Sequence, residues 1–227
     1  QRSVKIKNIQ EFKGDIGAYQ LVILYQPSIA FQSVFDKINT QKSNYVVVTG
    51  ANTNWNFLNE MQPNYYKKNI NQTEEYLPAF NNGFLTFAQK DIAFNTFSPL
   101  VDVFGKVTMK TNYDPLLNQT IAGIETESPL LATFENTDQK SAVLFGEGIW
   151  KWRATSYMNT NSFQDFDAFL GNLIQYVSST KKRERLTLNY DKLFMANSPI
   201  TISAFYVDKN YQFDARAVLQ VSLINID

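Results

Sequence analysis

Residues 19–25 read YQLVILY, a nearly continuous run of apolar and β-favouring side chains. A strand covered on one face alternates between apolar and polar. A strand covered on both faces does not, and two-sided cover is the habit of parallel sheets. Working outward, Pro27 and Ser28 open a helix, with Ser28 as N-cap and Ile29, Phe31, Val34, Phe35 and Ile38 as its apolar face. Residues 44–49 (NYVVVT) read as a second buried strand, stopped by Gly50, and residues 54–61 as a short helix. With an alternating strand at residues 4–8, the opening reads β–β–α–β–α. Its short spacings favour right-handed parallel crossovers.

From residue 62 to 118 the pattern loosens. Pro78, Pro99 and the turn-forming Asn81-Asn82-Gly83 interrupt it. Residues 84–87 and 92–97 read either as short strands or as an insertion packed by its Phe side chains. Strand patterns return at residues 120–126, 130–136 and 141–145, with a hairpin turn at 137–140. Residues 162–179 form the best helix. Ser162 caps it, and Phe163, Phe166, Phe169, Leu170, Leu173, Ile174 and Val177 recur at helical spacing. A basic run, Lys181-Lys182-Arg183, closes it, and period-two segments follow with no helix. This places a boundary near Arg185. Residues 1–185 are expected to form an α/β domain. Residues 186–227 are expected to be the β-rich start of an immunoglobulin-like domain, being too few to complete a sandwich.

Composition excludes more than it assigns. The chain has 227 residues with no His and no Cys. That removes the imidazole base, the thiolate nucleophile and every His or Cys ligand for zinc, copper, haem or iron–sulfur centres. Lys+Arg and Asp+Glu balance at 21 each, so the electrostatic footprint of a nucleic-acid binder is missing. With 44% hydrophobic and 19% charged residues the chain carries enough apolar material for a core. No run approaches the roughly 18 apolar residues that cross a bilayer. The chain begins almost directly in a strand pattern and ends inside another, which reads as a piece of a longer protein. The acidic pairs Glu74/Glu75, Asp165/Asp167 and Asp208/Asp214 match neither a paired acid–base arrangement nor a calcium loop. No catalytic residue, metal site or cofactor is expected.

Two places could carry a site. In a doubly wound sheet ligands bind beyond the carboxyl ends of the strands. That draws attention to Thr49, Gly50, Asn52 and Thr53, read either as a plain strand-to-helix turn or as the rim of a small pocket. The second is residues 146–153, GEGIWKWR. Its two glycines around Glu147 imply tight turning or close backbone approach. If a helix starts near Gly148, Ile149 and Trp152 share one face and Trp150 and Arg153 another. Trp150 is then read as a core anchor and Arg153 as stacking on a ring or pairing with an acid, with a binding surface as the other possibility.

The run from Val143 to Arg153, VLFGEGIWKWR, resembles a segment of bacterial von Willebrand factor A-type membrane proteins that carry a class I glutamine amidotransferase-like domain. In that segment a strand runs into a Gly-x-x-x-Trp-x-Trp-Arg turn and helix. The helix at residues 162–179 and the Val46-Val47-Val48-Thr49-Gly50 turn take the positions of matching family elements. The Asn-rich, aromatic style is similar to Bacteroidetes versions. The resemblance spans roughly residues 4–185. It implies a flavodoxin-like three-layer α/β sandwich with a mostly parallel sheet, on the periplasmic side of the inner membrane, in a membrane-anchored parent chain. Catalytic members use a Cys and a His, so no catalytic residue carries over. The expected function is a non-catalytic interaction or scaffold domain that docks a protein partner or neighbouring domains of its own chain. The alternative is a small-molecule or glycan-binding module, since Asn, Gln, Tyr and Trp are plentiful.

Overall fold

The computed structural model describes residues 3–180, 186–190, 201–206, 217–220 and 222. The chain divides into two compact units, Gln1–Thr180 and Lys181–Asp227. The first opens with β1 (Val22–Tyr25), α1 (Gln32–Gln41), β2 (Tyr45–Val48) and α2 (Trp55–Met61). Three long strands follow the second helix: β3 (Tyr65–Phe80), β4 (Leu100–Met109) and β5 (Asp114–Ile121). Then come β6 (Ile124–Glu135), β7 (Lys140–Leu144), α3 (Trp150–Thr160) and α4 (Gln164–Ser178).

The seven strands form one curled mixed sheet in the order β1-β2-β7-β6-β5-β3-β4. Only β1, β2 and β7 run parallel, with Val22 opposite Tyr45 and Tyr45 opposite Ser141. Every later pairing is antiparallel. The flavodoxin-like, mostly parallel sandwich is therefore incorrect, and the amidotransferase-like description of the domain falls with it. The near-continuous apolar run does mark parallel strands, but that property belongs to one end of the sheet. The remaining strands pair antiparallel, β5 with β6 and β6 with β7 as hairpins and β3 with β4 and β5 across longer connections, and the buried-run argument sees none of these pairings.

The largest departure is β3. Its inward positions early on are Tyr65 and Lys67, so a lysine occupies a place where periodicity looks for an apolar residue. Its middle, residues 68–73, is exposed and polar. It pairs with β4 from Tyr65 to Tyr76 and with β5 from Leu77 to Phe80, with a register shift between Asn69 and Thr73. Gly105 lies opposite Asn69, where an added Cβ would stand 2.7 Å from the Asn69 Cα. Residues 84–97 carry a single 3-10 turn, Phe94–Thr96, and no strand; Phe84, Phe94 and Phe97 are buried. Residues 4–8, expected as a strand, carry no helix or strand and pair with no strand among the described residues.

The core is built from two aromatic groups. Phe35 of α1 packs edge-on against Tyr45 and Phe57, and Trp55 of α2 stacks on Phe145 beside Tyr65. Separately, Trp152 of α3 meets Phe94, Phe97 and Phe169. Asn54 caps α2 by accepting the Phe57 N–H, and the Ser162 hydroxyl accepts the Gln164 N–H at the start of α4. In the second unit β8 (Leu186–Tyr190) pairs antiparallel with β9 (Ile202–Tyr206). Of the rest of the expected immunoglobulin-like segment, residues 201, 217–220 and 222 carry no helix or strand, and the others, with the boundary at Arg185 and the pair Asp208/Asp214, lie outside the described residues.

Candidate functional site

Parallel strands end together, and here the ends of β1, β2 and β7 gather the polar residues. Directly after β2, the Thr49 N–H donates to the Leu144 carbonyl at 2.9 Å, which ties the turn to β7. The Thr49 hydroxyl donates to Asp102 Oδ2 at 2.8 Å. Lys67 Nζ reaches the same oxygen at 2.8 Å, and both charged side chains are 0% exposed. The other carboxylate oxygen accepts the Val103 N–H at 2.8 Å. The Lys67 ammonium also lies 4.8 Å from the Trp55 ring centroid and 5.6 Å from that of Tyr76.

Two opposing effects act on this pair. Burial pushes Asp102 above the ordinary carboxylate value, and Lys67, Thr49 and the Val103 amide pull it back. Burial pulls Lys67 below its ordinary value, and Asp102 opposes that. In both cases desolvation is the larger cause, so the pair is held in place by the fold rather than contributing strongly to it.

An outer layer covers the first. The Gly50 N–H donates to the Thr53 hydroxyl at 2.9 Å and closes the turn. Gln26, in a left-handed conformation at φ 46°, accepts the Asn52 N–H at 2.7 Å. Its amide nitrogen donates to Glu147 Oε2 at 2.7 Å, and the Tyr25 hydroxyl donates to that oxygen at 2.6 Å. The Glu147 bond is the main reason the Tyr25 phenol is raised above its ordinary value. Glu147 is fixed in turn by a two-way backbone bridge to Val101. Gly50 is required because a Cβ there would stand 2.8 Å from Gln26 Cδ and 3.0 Å from Glu147 Cβ.

Thr49, Gly50, Asn52, Thr53 and Glu147, separated by almost a hundred residues of chain, thus belong to one assembly. Trp150, Trp152 and Arg153 make their contacts elsewhere. Trp150 is 71% exposed, so the expectation that it anchors the core is corrected. The anchor is Trp152, fully buried, with its indole N–H donating to the Ser98 carbonyl at 2.7 Å. The helix begins at Trp150 and turns Trp152 inward, which leaves Trp150 facing outward. Arg153 pairs with Asp167 at 2.8 Å and lies 3.9 Å over the Phe163 ring. Asp165 pairs with Lys90 at 2.9 Å.

Sequence reasoning missed Tyr25, Gln26, Lys67 and Asp102. Lys67 sits in a polar stretch and Asp102 in a strand 35 residues further on, and no spacing signal joins them. A cleft of about 460 Å³, bounded by Ala51, Asn71, Gln72, Thr73 and Val103, lies beside this assembly at the register shift of β3.

Chemically the assembly is committed to itself. A nucleophile needs a nearby base with a free lone pair and a path for substrate. The Thr49 hydroxyl already donates to a carboxylate that holds an ammonium, and Thr49, Lys67 and Asp102 are all sealed from solvent. Among the described residues no group of three or more Asp or Glu converges to hold a metal ion, and no helix is long and apolar enough to cross a membrane.

No family model matches the sequence. No curated protein matches it. Among solved structures the chain is similar to alpha-L-fucosidase isoenzyme 2 from Paenibacillus thiaminolyticus at 10% identity and a TM-score of 0.42. The match covers 78% of this chain and 27% of that one. Likeness at this level carries nothing about the activity of the present chain.

Proposed function

We propose that residues 3–180 form a non-catalytic interaction module that docks a protein partner or neighbouring domains of its own chain, in an extracytoplasmic, envelope-associated parent protein. The observation that carries this reading is the internal pairing at the strand ends. Thr49, Lys67 and Asp102 satisfy one another in a sealed layer, and Tyr25, Gln26 and Glu147 lock the layer above it. Such a network preserves the shape of a loop surface and leaves no poised acid, base or nucleophile. Large aromatic side chains remain exposed, the Tyr25 ring at the edge of the network at 56% and Trp150 outside it at 71%, and these are residue types that interfaces use as anchors.

The test is turnover of glutamine, generic esters and generic glycosides by the purified chain. No turnover is expected. Activity that disappears on Asp102→Asn or Glu147→Gln would overturn the reading. A second reading, a glycan- or small-molecule-binding module, draws on the exposed Tyr25 ring beside the Glu147 carboxylate. Saturable binding of a neutral oligosaccharide that is lost on Tyr25→Ala would favour it.

A further inference from the structure

Residues 4–8 carry no helix or strand, and their side chains are exposed. Val4 and Ile6 are 83% and 92% exposed. Lys5 and Lys7 line the mouth of a cavity of about 150 Å³. Its walls are apolar: Ile9, Phe12, Ile16, Leu21, Phe31 and Val34. Lys5 Nζ lies 5.8 Å from the ring centroid of Tyr19, another wall residue, which places that ammonium at the cavity. Neither lysine forms an ion pair or hydrogen bond among the described residues. The nearby Asp15 carboxylate is engaged by the Gly17 N–H at 3.0 Å and the Gln41 amide at 3.3 Å.

Two lysines therefore border an oily cavity with room for about one six-carbon ring. A group that carries a negative charge on an apolar body satisfies both halves of that arrangement. We propose that the cavity beneath residues 4–8 is a binding site for a small carboxylate with an apolar body about the size of one ring. The ring packs against Phe12, Ile16 and Val34, and the carboxylate is held by Lys5 and Lys7. This site is separate from the assembly at the strand ends and does not rest on the interaction-module reading.

The experiment titrates benzoate into the full 227-residue chain and follows side-chain methyl resonances by NMR, with benzyl alcohol as the uncharged control. Shifts are expected at Ile9, Ile16, Leu21 and Val34. Benzoate is expected to bind about three- to tenfold tighter than benzyl alcohol, as two partly exposed charge contacts allow. In Lys5→Gln/Lys7→Gln that preference should vanish while benzyl alcohol binding is unchanged. Both substituted side chains are exposed, so the fold is retained. Absence of benzoate binding, shifts confined to other methyl groups, or a preference that survives the double substitution would each overturn the proposal.

Discussion

Replacing Lys67 with Met isolates the cost of the sealed ion pair. Met fills much of the same volume, so the change removes a charge rather than opening a cavity. Asp102 keeps the Thr49 hydroxyl and the Val103 N–H but loses its counterion. Taking one partner from a buried pair costs about 3–5 kcal/mol, and the lower end applies here because two hydrogen bonds remain. Loss of the cation over Trp55 and Tyr76 contributes about 1 kcal/mol of this.

The deficit depends on pH. Burial raises the folded-state value of Asp102 even with Lys67 present, and without Lys67 it rises further. Between its unfolded and folded values such an acid binds more protons folded than unfolded, so stability falls as pH rises through that window. The expected deficit relative to the parent chain is about 3 kcal/mol near pH 8 and smaller near pH 5.

Urea unfolding followed by Trp fluorescence reads both, because Trp55 lies 4.8 Å from the Lys67 ammonium. With a slope of about 2 kcal/mol per molar urea, the midpoint drops by about 1.5 M near pH 8 and by less near pH 5. The double variant Lys67→Met/Asp102→Asn should lie within about 1 kcal/mol of the parent at both pH values, since no buried charge remains. A single-variant deficit that is equal at the two pH values, or a double variant as weak as the single, would refute the account.

Two further outcomes follow from packing. Trp152→Ala should cost about 3–5 kcal/mol and Trp150→Ala less than about 0.5 kcal/mol, read as denaturant midpoints; equal losses would contradict the assignment of the anchor. Gly146→Ala should cost about 2 kcal/mol or more, because Gly146 sits at φ 143° and its added Cβ would stand 2.7 Å from Leu100 Cβ. An unchanged thermal midpoint would show that the turn relaxes freely.

The elements legible in the sequence are those whose signal is local. Helix α4 shows its apolar spacing and a serine near its start, and it forms within two residues of the expected bounds. Strand β2 shows as an apolar run because both its faces are covered. Strand β1 pairs with it in parallel but lies at the sheet edge with Ile23 and Tyr25 exposed, so its apolar run does not reflect the two-sided cover expected of it. The turn after β2 and the glycines around Glu147 stand out because backbone crowding leaves no room for a side chain at Gly50 and Gly146. The strands β3 and β4 were not legible. Their middle is exposed, and one of the inward positions of β3 is a lysine whose burial makes sense only with Asp102 opposite it. The choice between Trp150 and Trp152 was equally hidden, since it turns on which residue of α3 faces Phe94, Phe97 and Phe169.

By itself the sequence determined what chemistry is closed to this chain. A protein without His or Cys has no imidazole base and no thiolate, however it folds. It also determined where helix α4 and the parallel strands lie, because periodicity acts over a few residues; helix α1 starts only at Gln32, after a 3-10 turn at Ile29–Phe31, with no cap bond from Ser28 and with Ile29 exposed. The tertiary structure alone decided that the sheet is mixed, that Thr49, Lys67 and Asp102 meet, and that Glu147 locks Tyr25 and Gln26 from more than a hundred residues away. Those contacts depend on how strands from distant parts of the chain are ordered in one sheet. That order is set by the joint burial of many side chains, which no single stretch of the sequence encodes.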